Sequence, residues 1–175
     1  AAIETRVGIC LEILARLNAG SFEMAHAVMH TTGQALMMAF QAAGPHAQDR
    51  GLEAVAYAWR EMHHVPAMAL WEKPQGKNPP LRMEKRFTIV PRGVALVIAC
   101  STFPTWNGYP GIFASLVTGN PVIVKAHPAV ILPLALAVST ARQVLKEAGF
   151  DPNLVSLLID DPVAPVAKEV AMRPE

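Results

Sequence analysis

Three observations predict an α/β fold in which a helical segment precedes part of a Rossmann-like parallel sheet. Residues 6–62 carry apolar side chains at three- and four-residue steps, the period of one helix face. Residues 93–159 instead hold three unbroken apolar runs of strand length, Gly93–Ala99, Pro121–Ala126 and Leu154–Ile159. Helical patterns separate these runs at intervals of roughly thirty residues, the βαβαβ rhythm of buried parallel strands.

Composition agrees with a packed domain. The 175 residues suffice for one domain or for one and a part, and a 52% apolar content supports a core rather than disorder. Fifteen Lys and Arg against fourteen Asp and Glu leave a net charge of +1, and nothing in that balance suggests a polyanion-binding surface. The basic run Leu81–Arg86 encloses Glu84 and reads as a solvated strand edge, so no nucleic-acid partner is expected. The apolar runs are too short to span a bilayer, and no membrane partner is expected. Cys10 and Cys100 make no disulfide framework, and no secretory signal opens the chain, so a soluble cytoplasmic location is expected. The chain begins without a helix cap and stops at Arg173-Pro174-Glu175, just after a helical pattern. It therefore reads as a fragment.

The elements follow in order. In the first helix Val7, Leu11, Leu14 and Leu17 form the stripe, with Cys10 as a small core residue on the same face; Asn18-Ala19-Gly20 breaks it. Ser21 reads as the N-cap of a second helix, with Glu23 in its first turn. Its stripe is Phe22, Ala25, Val28 and Met29, and it frays near Thr31-Thr32-Gly33. Met37 and Met38 read as core filler. A third helix starts near Gly44-Pro45 with Leu52, Val55, Ala56 and Trp59 as its stripe. His63 and His64 adjoin its end without a carboxylate or cysteine at metal-ligand spacing, so a helix-dipole role is expected and no metal. Residues 1–71 thus form a helical segment, and 72–92 a proline-rich connector with one extended stretch, Arg82–Val90. Residues 93–175 form the partial dinucleotide-binding unit, with helices at Gly111–Val117 and about Ile131–Ala148. No G-x-G-x-x-G occurs in it: Gly108, Gly111 and Gly119 lack the pyrophosphate spacing.

The stretch "PRGVALVIACSTFP…FASLVTGNPVIVKAHP…VLKEAGFDPNLVSLL" resembles the aldehyde dehydrogenase superfamily. Pro91, Gly93, Phe103, Pro104, Gly119, Asn120, Lys125, Glu147, Ala148 and Gly149 match its pattern without a gap. The helices of residues 6–62 also look like the family's N-terminal segment. "TFPTWNGYP" and "KAHP" are most similar to the branch of phenylacetic acid degradation, the type N aldehyde dehydrogenases. That branch is associated with a semialdehyde released when a ring-type coenzyme A thioester is opened.

The resemblance implies a dinucleotide cofactor, NAD or NADP, a small-molecule aldehyde substrate and a full-length homo-oligomer. It implies a nucleophilic cysteine and a hydrolytic glutamate in a later part of the family's chain, so that the catalytic domain is expected to be absent here and these residues alone inactive. Ile98, Ala99, Cys100, Ser101, Lys125, His127 and Pro128 fall on cofactor-binding positions. Lys125 matches the lysine that binds hydroxyls of the adenosine ribose. Pro128 stands where NAD-preferring members place a glutamate, so NADP is expected to be tolerated, with His127 and Lys125 favouring a 2′-phosphate. Cys100 and Ser101 replace the proline and tryptophan of the family loop, and Thr102 its oxyanion-donating asparagine. Thr102 is the first candidate donor; Asn107, otherwise an N-cap for the following helix, and Ser101 are alternatives. These loop departures also suit another class, a non-catalytic nucleotide-binding or scaffolding domain on the same fold.

Overall fold

The computed structural model describes residues 1–173. Four helices come first: α1 (Ile3–Ala19), α2 (Ser21–Thr32), α3 (Leu36–Ala43) and α4 (Pro45–His63). A hairpin follows, β1 (Met68–Gln75) with β2 (Asn78–Arg86). Then strands and helices alternate: β3 (Ala95–Ile98), α5 (Pro104–Val117), β4 (Val122–Lys125), α6 (Leu132–Glu147), β5 (Val155–Leu158) and α7 (Ala167–Ala171). No helix among the described residues is long and apolar enough to cross a membrane.

The three predicted parallel strands are present, in the order β3-β4-β5 and parallel throughout. Register places Ala95, Val97, Val122, Val124, Val155 and Leu157 on one face, and all of these join the core. The opposite face carries Leu96, Ile98, Ile123, Lys125, Ser156 and Leu158. It is less covered, with Ile98 55% exposed. A parallel sheet is ordinarily buried on both faces; here the helices cover one.

Much of the matched motif is turn chemistry. Gly119 and Gly149 take positive φ, 91° and 77°, where a β-carbon is strained. After each glycine the next amide reaches back five residues: Asn120 N–H to the Ser115 carbonyl (2.9 Å) and Phe150 N–H to the Leu145 carbonyl (2.8 Å). This is the helix-ending pattern that turns the chain into the next strand. Asn120 then accepts the amides of Arg92 (2.7 Å) and Gly93 (3.2 Å) on Oδ1, fixing where β3 starts beside β4.

The helical stripes rotate relative to expectation. In α1, Cys10, Ile13, Leu14 and Leu17 are buried while Leu11 is exposed. In α2 Phe22 lies outside and stacks on Phe40 with centroids 4.8 Å apart. Ser21 is not an N-cap: it lies inside α2, and its hydroxyl donates to the Asn18 carbonyl at 2.7 Å and accepts from Gln48 Nε2 at 3.1 Å. Met37 and Met38 are exposed on α3, an element the sequence reading omitted, whose buried residues are Ala39 and Ala43. In α4 Val55 is buried, but Leu52, Ala56 and Trp59 are not; Gly51 and Met62 take their places. The cause is that α4 packs against both α1 and α5, through its small residues. A β-carbon on Gly51 would meet Leu14 Cδ2 at 2.7 Å and Phe113 Cδ2 at 2.9 Å. The connector is also corrected: Met68–Arg86 is an antiparallel hairpin turning at Gln75–Asn78, exposed along nearly all its length.

Two consequences are measurable. Gly51→Ala removes a poor helix former, which in an open helix stabilises by about 1 kcal/mol; here overpacking reverses the sign, costing about 1–3 kcal/mol in chemical denaturation. Burial pushes the Cys10 thiol up from 9.0 to about 12. A group raised on folding contributes stability that is complete below its unfolded value and lost as pH rises through its folded one. Stability therefore falls between pH 9 and 12, and Cys10→Ala makes that alkaline fall less steep in pH-dependent unfolding.

Candidate functional site

The carboxyl edge of the sheet is where open α/β sheets bind ligands. Ile98 ends β3 and Lys125 ends β4; they are register partners on the less covered face. After Ile98 the chain passes through Ala99–Phe103 into α5, which starts at Pro104 rather than at Gly111 as the sequence reading had it. The proline suits the first helical turn because its missing N–H would be unpaired there.

That earlier start changes Asn107. The residue before α5 is Phe103, so Asn107 is not an N-cap but lies in the helix's first turns. From there its Oδ1 accepts the backbone amide of Cys100 at 2.9 Å, folding the loop back against the helix. Because the amide N–H must meet an oxygen, the orientation of the carboxamide is determined and Nδ2 points the other way. Cys100 is exposed, and its Sγ accepts the Phe103 amide at 3.4 Å. Ser101 is half-buried and Thr102 exposed.

A residue that sequence reasoning missed holds the loop from below. Gln34, in the link between α2 and α3, donates from Nε2 to the Thr102 carbonyl. Its Oε1 is buried without a partner among the described residues. The pairing spans 68 residues and had no local signal. Thr105 adds a second tie: fully buried, its hydroxyl faces the Ala43 carbonyl at 3.4 Å.

Lys125 has a partner that the sequence reading also missed. Its Nζ lies 3.5 Å from Asp160 Oδ2, and both side chains are largely buried, 12% and 4% exposed. Asp160 follows the end of β5 and accepts the Val166 amide on Oδ1 at 2.8 Å. A buried carboxylate in such a place is tolerated because it is both paired and hydrogen-bonded. His127 is exposed and turned onto its own loop, with Nδ1 accepting the Ala129 amide at 3.2 Å. Pro128, half-buried, completes the turn closed by the Val130 amide on the His127 carbonyl at 2.8 Å.

The sheet's other end is different. A cavity of about 260 Å³ there is lined by Arg6, Cys10, Pro91, Asn120 and Phe150 among others. It opens at the amino ends of the strands, away from Lys125 and the loop, and its one thiol is held neutral by burial. His63 stacks on Trp59 with centroids 3.9 Å apart and lies 3.8 Å from Glu4, and His64 faces Glu61 at 3.5 Å; among the described residues neither joins a group of three potential metal ligands.

The chain thus lays helices over one face of a three-stranded parallel sheet, with Lys125 at the carboxyl edge of the middle strand, and this is the fold of solved aldehyde dehydrogenases. Solved structures bear this out. An NAD-dependent aldehyde dehydrogenase from Burkholderia multivorans is 65% identical, with a TM-score of 0.95 over 99% of this chain and 31% of that one. A glyceraldehyde-3-phosphate dehydrogenase from Methanocaldococcus jannaschii, complexed with NADP, shares the fold at 16% identity and a TM-score of 0.66, over 90% of this chain and 32% of that one. A 1-pyrroline-5-carboxylate dehydrogenase from Thermus thermophilus does so at 21% and 0.67, over 98% and 30%. The chain thus spans about a third of the length of these proteins. No family model and no curated protein matches it.

The Asn107 contact is testable by hydrogen exchange. Asn107→Ala leaves the Cys100 amide without its acceptor, and a hydrogen bond of about 0.5–1.5 kcal/mol corresponds to exchange at that amide about two- to tenfold faster. Unchanged exchange there would refute the tie.

Proposed function

We propose that this chain is the cofactor-side N-terminal part of an NAD(P)-dependent aldehyde dehydrogenase, which oxidises an aldehyde to its acid through a cysteine thioester. The observation that carries the reading is the pairing of Ile98 and Lys125 on the less covered sheet face, at the carboxyl edge and beside the Ala99–Phe103 loop. The 65% identity to an NAD-dependent aldehyde dehydrogenase supports it.

In this reading the adenosine half of the dinucleotide lies on that face. Lys125 directs one of its three N–H donors towards Asp160 and has two left for ribose hydroxyls. Ile98, Ala99, Cys100 and Ser101 form the wall on one side, His127 and Pro128 on the other. The bound nicotinamide supplies the hydride acceptor. The thiolate and the glutamate that hydrolyses the thioester come from residues other than these 175. Cys10 is unsuited to attack because burial holds it protonated, and Cys100 receives a backbone amide rather than a base. By themselves these residues do not turn over aldehyde.

The loop's task is then to stabilise the oxyanion formed by thiolate attack. Thr102 offers an exposed hydroxyl whose backbone is held by Gln34. Asn107 offers Nδ2, on a carboxamide already oriented by the Cys100 amide. An oriented amide donates at a charge that appears only near the transition state, without reorganising first. The aldehyde we infer is a ring-opened coenzyme A thioester semialdehyde of phenylacetate catabolism, on the strength of "TFPTWNGYP" and "KAHP". The full-length protein acts in the cytoplasm as a homo-oligomer.

Titration of the native protein with NAD and NADP tests the reading: binding of at least one is expected, and binding of neither overturns it. Steady-state kinetics of the full-length protein then separate the donors. Replacing the true oxyanion donor, by Thr102→Val or Asn107→Ala, lowers kcat by about 10²–10³ with dinucleotide affinity retained. The other replacement leaves kcat within about tenfold.

A further inference from the structure

We propose that Asp160 makes this site select NAD over NADP, taking the part of the carboxylate that Pro128 lacks. The inference rests on the dinucleotide reading above and concerns which dinucleotide the site prefers.

Lys125 ends one strand and Asp160 follows the end of its neighbour, at the same edge of the sheet. Lys125 is the last residue of β4, and Asp160 lies two residues beyond Leu158, its register partner on β5. The ion pair measures 3.5 Å. Each partner therefore cancels most of the other's charge, and the lysine is no free cation for a phosphate. Exposed Asp161 adds a further negative charge at the rim, where its Oδ1 accepts the Val163 amide at 2.8 Å. The cation nearest in sequence, Lys168, lies on α7 and does not pair with either aspartate among the described residues. His127, the other group that could answer a phosphate, has Nδ1 committed to the Ala129 amide.

For a ribose this arrangement is favourable. Hydroxyls can accept from the two remaining lysine N–H groups and donate to a carboxylate oxygen. For a 2′-phosphate it is not, because a dianion would enter beside a carboxylate whose one counter-charge is already used. Burial of both partners keeps water from screening the repulsion. Asp160 is held in place by its second oxygen on the Val166 amide, so it cannot swing clear without leaving that amide unpaired. A carboxylate on the ribose hydroxyls is a general solution for excluding the 2′-phosphate. Here it arrives from the neighbouring strand rather than from the turn that carries Pro128.

The test is the ratio of NAD to NADP dissociation constants, measured by calorimetry on the native protein and on Asp160→Asn. Asparagine keeps an oxygen for the Val166 amide and removes the charge. The wild type is expected to bind NAD at least about tenfold more tightly than NADP, and Asp160→Asn to shift that ratio about tenfold towards NADP. Asp160→Ser, which also keeps an acceptor, serves if the asparagine variant does not fold. A wild-type ratio at or below one overturns the proposal, as does a folded variant with an unchanged ratio. A purely structural aspartate would weaken both dinucleotides alike and leave the ratio where it was. Binding of neither dinucleotide by the wild type is a different result: it removes the dinucleotide reading itself, and the proposal with it.

Discussion

The rest of this structure depends on covering one face of a short parallel sheet. Val122, Val124 and Val155 are essentially inaccessible, and Ala95, Val97 and Leu157 pack against the same core. Four-residue strands bury too little to stand alone, so the helices must approach closely. Gly111 allows this for α5, since a β-carbon there would come within 3.0 Å of Val97 Cγ2. Gly51 does the same one layer out, where α4 crosses Leu14 and Phe113. Small residues at these crossings set how near each helix lies, and so where the Ala99–Phe103 loop comes to rest.

The opposite face of the sheet is left barer, and there Lys125 stands beside Ile98 at the carboxyl edge. The loop over that edge is tied by Asn107 to the Cys100 amide and by Gln34 to the Thr102 carbonyl, and the helix that follows it by Thr105 towards Ala43. None of these ties is an acid or base. The loop itself, Ala99–Phe103, holds no proline and no ionisable side chain other than the Cys100 thiol, so its shape comes from these ties and from the start of α5 at Pro104.

Arg6 ties the first helix to the end of α5. Its Nε donates to the Val117 carbonyl at 2.8 Å, across 111 residues, at the exit of α5. On the surface Arg16 reaches Glu147 at 2.6 Å, joining α1 to the end of α6. The exposed pair contributes little to stability because water screens it; the half-buried arginine on an otherwise unpaired helix carbonyl matters more.

Local patterns sufficed for what local physics controls. The three apolar runs and the helix stops at Gly119 and Gly149 were legible because unbroken apolar stretches and glycine turns carry their meaning within a few residues. The helix faces were read only in part, since Gly51 and Ala39 are buried by what packs on them and not by their own hydrophobicity. The hairpin was missed because exposed strands rich in charge and proline have no inward face to reveal a period of two. Asn107 on Cys100, Gln34 on Thr102 and Asp160 beside Lys125 were beyond reach for one reason. Each joins residues whose distance in space is set by helix packing and strand order, and only the tertiary structure decides those.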